Sequence, residues 1–200
     1  MIRRLFKSKI RQGLLKLFFY NPGRRFYIRE LAKIISASAG NTQKELRSLE
    51  NEEIIKSEKL GNLRLYSINK SYPLLPELEK IIQKTIGIEY ELAKKLKGLK
   101  GLKFALIYGS YAKGGLKADS DIDLLIVGNV KENEVIRRIT KVERTILREI
   151  NFHLIIPSEF SAKIKTSSFY KDVLKKYILV TNNENEFKRF IGKAGKAGEA

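Results

Sequence analysis

From Ile10 to Tyr20 the apolar residues Ile10, Leu14, Leu15, Leu17 and Phe18 recur at the spacing of one helix face, and Asn21-Pro22-Gly23 stops the run. A second helix is predicted over 28–35, with Leu31, Ile34 and Ile35 turned inward. Ser36 to Gly40 supply a turn and a cap. A third helix then fits "NTQKELRSLENE", buried through Leu46 and Leu49, with Asn41, Thr42, Lys44 and Arg47 outward. The runs "IIKSEKL" and "LRLYSIN" read as two strands joined at Gly61-Asn62, a hairpin. Pro73 and Pro76 close this block.

From Glu77 to about Lys97 the helical spacing returns through Leu78, Ile81, Ile82, Ile86, Leu92 and Leu96, with Gly87 as its weak point. A buried strand over Phe104–Tyr108 breaks at Gly109-Ser110, and a second apolar strand runs through Leu124 to Val127. Next come a helix rich in Arg137, Arg138, Arg144 and Arg148 and a strand over Ile150–Pro157. Further on, a helix starting at Ser158, a loop at "KTSS", a helix through Asp172 to Lys176 and a last strand in "YILVTN" are predicted. The terminal "GKAGKAGEA" is small and polar and is expected to fray.

Composition narrows the class. Apolar residues make up 43% and charged residues 31% of 200, the balance of a soluble globular chain. No apolar run approaches the roughly 20 residues that a membrane span needs. The basic start lacks the apolar block of a signal peptide, and the absence of cysteine excludes disulfides and thiolate metal sites. A cytoplasmic protein is expected, with no membrane partner. The net charge is +18, and residues 1–50 hold 12 Lys/Arg against 3 Asp/Glu, so a quarter of the chain carries half of it. Such a basic segment suits a polyanion, or else a surface tuned for solubility or heat.

The chemistry concentrates in "YGSYAKGGLKADSDIDLLIVG", Tyr108 to Gly128. A strand followed by a Gly-Ser turn offers backbone N–H groups to phosphate, a weak signal alone. Asp119, Asp121 and Asp123 follow within a few residues, and alternation along a strand puts Asp121 and Asp123 on one face. Two carboxylates there repel each other unless a cation joins them, and hard oxygen ligands suit Mg²⁺. The bland reading is a strand starting at a solvated acidic turn, with Asp119 and Ser120 as caps. The upstream Gly-Ser weighs against it.

Two resemblances follow from these motifs. Three helices and a hairpin, with the ending "LRSLENEEII", resemble the winged helix-turn-helix of bacterial and archaeal regulators, although Glu52-Glu53 stand where a glycine is often found. That resemblance implies base contacts from Asn41, Thr42, Lys44 and Arg47 and phosphate contacts from Lys59 and Arg64 on double-stranded DNA. "GSYAKGGLKADSDIDL" resembles the signature of the DNA polymerase beta-like nucleotidyltransferase superfamily. This second resemblance implies a mixed sheet with flanking helices. It also implies that Gly109, Ser110 and Lys113 hold a nucleoside triphosphate and that Asp121 and Asp123 bind Mg²⁺ and serve catalysis.

The superfamily's third carboxylate is missing from its expected place, where His153, the single histidine, stands. His153 is therefore a candidate for the catalytic set, or else a strand histidine with a satisfied hydrogen bond, and Glu149 is a distant substitute acid. The expected organisation is an α+β chain with a winged helix at 1–76, a connecting helix at 77–100, a nucleotidyltransferase-like domain at 101–192 and a flexible tail at 193–200. The main expectation is a DNA-binding regulator, homodimeric, whose second domain binds NTP and Mg²⁺; fusions of this kind include relatives of toxin–antitoxin partner proteins. The alternatives are an active transferase acting on a small molecule, nucleic acid or protein hydroxyl, and a nucleotide sensor without turnover.

Overall fold

The computed structural model describes Phe6 and residues 8–114, 120–181 and 184–196, the side chains of the last three excepted. By compactness the chain divides into residues 1–90 with 142–148 and residues 91–141 with 149–200. Among the described residues no helix is long and apolar enough to cross a membrane.

In the first unit, α1 (Lys9–Tyr20) starts at Ser8, whose Oγ accepts the Arg11 N–H, and buries Leu14, Leu15, Leu17 and Phe18. It ends at Asn21, whose side-chain amide donates to the carbonyls of Leu17 and Ile146. β1 (Phe26–Tyr27), α2 (Ile28–Ile34) and α3 (Ala39–Asn51) follow, with Ser38 capping α3. α3 closes through the Ile54 N–H on the Leu49 carbonyl, with Glu53 at φ +59. Glycine adopts that conformation at no cost, so Glu53 stands where glycine would be favoured.

β2 (Ile55–Leu60) and β3 (Leu63–Ile68) form the expected hairpin, turning at Gly61 with φ +60. β1, too short to be read from periodicity, completes an antiparallel sheet of order β1-β3-β2. Its core joins Phe18, Phe26, Leu31, Leu46, Leu49, Ile55, Tyr66 and Ile82.

The single helix expected beyond Glu77 is two, α4 (Leu75–Thr85) and α5 (Ile88–Leu96). Tyr20 decides the break. Its hydroxyl accepts the Ile88 N–H at 2.8 Å, and a Cβ on Gly87 would overlap that hydroxyl and stand 2.7 Å from the Gln83 Cα.

The second unit is a mixed sheet. β4 (Leu102–Tyr108) and β5 (Ile122–Gly128) pair antiparallel, with the short α6 (Gly109–Ala112) after β4. α7 (Glu132–Ile146) then leads to β6 (Ile150–Ile155), parallel to β5. α8 (Pro157–Thr166), α9 (Ser168–Lys175), β7 (Ile178–Leu179) and α10 (Glu184–Lys196) complete the chain, and the strand order is β6-β5-β4-β7. Phe104, Leu106, Leu125, Val127 and Ile155 share one sheet face and pack with Phe160, Ile164, Tyr170 and Phe187 from the helices. α10 was not expected. It carries described chain to Lys196, past the start of the expected tail, and 197–200 lie outside the described residues.

Candidate active site

β4 delivers an unbroken buried run, Phe104 to Ile107, and Tyr108 at its end pairs in register with Asp123. The chain then turns at Gly109, with φ +72. A Cβ there would overlap the Asp123 Oδ2 and stand 3.2 Å from its Cγ. Only glycine satisfies both the dihedral angle and the contact, so the Gly-Ser turn is built around a carboxylate. Asp121 immediately precedes β5 and is exposed, and Asp123 is its second residue and half-buried. Asp119 lies outside the described residues.

The neighbour across the parallel pairing is Asn151, in register with Asp123. Its side-chain amide donates to the Asp121 Oδ2 at 3.1 Å. Burial, and then the charge of Asp121, push the Asp123 carboxyl above its ordinary pKa. Tyr108 is also pushed up, by burial first and then by Asp123 and Tyr170. One amide donor therefore only partly offsets two crowded carboxylates, and this arrangement attracts a cation.

His153 stands one strand step further from the pair, opposite Leu125. Its Nε2 and the Tyr170 hydroxyl on α9 are 2.7 Å apart. The place beside Asp123 thus belongs to Asn151, not to His153, because the strand begins at Ile150 and fixes the register. Glu149 precedes the strand and contributes its carbonyl to the Ile122 N–H.

Among the described residues no group of three His, Asp or Glu side chains could hold a metal ion. Two carboxylates still suit Mg²⁺, which is commonly held by one or two carboxylates together with substrate phosphates. Ser110 is half-buried in α6, and Lys113 is exposed at its end. Sequence reasoning overlooked Lys176: its Nζ donates to the Lys113 carbonyl at 3.3 Å, which brings α9 to the Gly-Ser turn. The signal was a lysine cluster at a helix end, common on any surface.

The residues expected to meet DNA are unevenly placed. Asn41, Lys44, Arg47 and Lys59 are exposed. Thr42 is fully buried and donates to the Ser38 carbonyl at 2.9 Å, so it is a residue of the helix interior and not a base contact. Arg64 on β3, paired with Lys59 on β2, donates to Ser57 and pairs with Glu50.

Comparison with known proteins assigns the chain to a family. The nucleotidyltransferase domain family matches residues 89–190, and the chain belongs to that family. It is 37% identical over 89 residues to a Methanocaldococcus jannaschii protein named "Putative protein adenylyltransferase MJ0604", a match spanning 44% of this chain and 86% of the relative. Among solved structures it is similar to a MntA–HpeT toxin–antitoxin structure at 13% identity and TM-score 0.42, over 55% of this chain and 86% of the other. A toxin–antitoxin structure with AMP-PNP aligns at 16% identity and TM-score 0.40, over 55% and 85%.

Proposed function

We propose that the chain is an active nucleotidyltransferase that moves an adenylyl group from ATP to a hydroxyl of another protein. The observation that carries this reading is the fit of Gly109 onto Asp123, which ties the phosphate-facing turn to the carboxylate pair in one rigid contact. The name of the Methanocaldococcus jannaschii relative supports the choice of donor and acceptor.

In the reaction the acceptor oxygen attacks the α-phosphorus, the bond between the α-phosphorus and its bridging oxygen breaks, and pyrophosphate leaves. Asp121 and Asp123 would hold Mg²⁺, which supplies positive charge to the triphosphate oxygens when bound. As the acceptor oxygen attacks, its hydroxyl proton is released to solvent, to which the site is open at the exposed Asp121. Gly109 and Ser110 hold phosphate oxygens, and Lys113 with Lys176 contributes positive charge at the same turn. With Asn151 beside Asp123, the donor set carries two negative charges and serves one metal ion rather than two. His153 acts through Tyr170, holding α9 against the sheet.

A second reading concerns the first unit. Its element order, its β1-β3-β2 sheet and its exposed Lys44, Arg47 and Lys59 support a winged helix-turn-helix that binds duplex DNA, with homodimers spanning two half-sites. DNA binding would then place the transferase rather than replace it.

The test is incubation of the purified chain with Mg²⁺, ATP and a cell's proteins, followed by mass spectrometry of modified peptides. An adenylyl group on a serine, threonine or tyrosine, absent with Asp121→Asn, is the expected result. Modification that persists in the variant overturns the reading.

A further inference from the structure

Phe169 on α9 is 43% exposed, yet its ring is held on three sides. Its centroid lies 5.5 Å from that of Tyr108, 5.0 Å from that of Tyr170 and 6.3 Å from that of His153, each contact nearly edge-to-face. Tyr108 belongs to β4 and His153 to β6, the strands on either side of β5. A ring that reaches both lies across β5. Register sharpens the position: Tyr108 pairs with Asp123, and His153 pairs with Leu125. Alternation puts all four on one sheet face. Phe169 therefore packs over the sheet face that carries Asp123.

A purely structural role would bury the ring, as α9 does with Tyr170 and Val173. Edge-on neighbours instead fix the ring's orientation while leaving much of it in water, which suits a surface for stacking. Just past the other end of that helix, Lys176 reaches the Lys113 carbonyl beside the Gly-Ser turn. From Phe169 to Lys175, six residues of helix cover about 9 Å. α9 thus carries an aromatic surface near its start, and the residue that follows it brings a cation to the Gly-Ser turn.

We infer that Phe169 is the platform on which the donor's base stacks and that the site takes purine in preference to pyrimidine nucleoside triphosphates. This rests on the nucleotidyl-transfer reading with ATP as donor and adds to it the residue that selects the purine base. A purine offers two fused rings to the platform against one, so the preference follows from stacked area rather than from hydrogen bonds. His153 and Tyr170 are positioning residues here, since they hold Phe169.

The experiment measures equilibrium affinity of the full chain, with Mg²⁺, for a non-hydrolysable ATP analogue, for the corresponding CTP analogue and for inorganic tripolyphosphate. Wild type, Phe169→Ala and Phe169→Trp are compared. Phe169→Ala is expected to weaken ATP-analogue binding about tenfold, the scale of one lost base–aromatic stack. It is expected to erase the preference over the CTP analogue and to leave tripolyphosphate unchanged, and Phe169→Trp restores both affinity and preference. Equal ATP-analogue affinity in wild type and Phe169→Ala, with tripolyphosphate still bound, overturns the inference alone. A wild type that binds none of the three overturns the nucleotidyl-transfer reading and the inference with it.

Discussion

Gly109 lies against Asp123 so closely that a single added carbon would overlap the carboxylate. The contact joins two sequence motifs nearly a full turn-and-loop apart into one object. Gly109→Ala meets both the steric overlap and the positive φ, a backbone conformation that costs a non-glycine residue about 1–2 kcal/mol before any clash. The variant is expected to lose at least that much stability and to lose transfer activity. Thermal unfolding alongside an activity assay checks both, and a variant as stable and active as wild type would refute the close contact.

Asp123 makes stability depend on pH in a definite direction. Its carboxyl is pushed above the ordinary value of 3.8 by burial and by Asp121, so the folded state holds the proton more firmly than the unfolded state. Stability of the metal-free protein therefore falls as pH rises from 3.8 through the raised folded value, and it levels off above that. Asp123→Asn removes this dependence and should unfold at higher temperature than wild type at neutral pH without metal. The difference should vanish in acid. Mg²⁺ should stabilise wild type more than the variant, while transfer by the variant falls by about 10²- to 10³-fold, the scale seen when one preorganised charge-stabilising group is removed.

Asn151→Asp supplies the carboxylate that the register would place beside Asp123. It also exchanges the amide donor on Asp121 for a third negative charge. Without metal the added repulsion is expected to cost about 1 kcal/mol, the size of one unit-charge pair at 4 Å in water. Mg²⁺ affinity, measured by calorimetry, should rise correspondingly. Weaker metal binding in this variant would show that Asn151 lies outside the metal's reach.

On the first unit, Lys44→Ala and Arg47→Ala should weaken duplex DNA binding, and any phosphate contact among them should lower the salt slope by about one. Thr42→Ala should change stability and leave DNA affinity unaltered, since its hydroxyl serves the Ser38 carbonyl inside the helix. Fluorescence anisotropy across a salt series separates these outcomes.

Much of the fold was legible because its elements are amphipathic or turn at glycine. α1 and α3, the hairpin at Gly61 and the buried strands β4 and β5 follow directly from spacing. What escaped had no local signal. β1 is two residues long and exists only through its pairing with β3. The break between α4 and α5 depends on the Tyr20 hydroxyl, far away in sequence. Thr42 was misplaced because a short polar side chain on a helix can turn to its own backbone. At the site, Gly109, Asp121 and Asp123 could be read from their spacing. Asn151 became visible only once the β5–β6 register was known, and Phe169 only as a ring reaching both flanking strands.

Transfer of a nucleotidyl group at Asp121 and Asp123 can be followed with ATP labelled at either the α- or the γ-phosphorus. With Mg²⁺, α-label is expected to pass to an acceptor protein while γ-label leaves as pyrophosphate, and Asp121→Asn is expected to abolish both. Transfer of γ-label to the acceptor, or α-label transfer undiminished in Asp121→Asn, would contradict it.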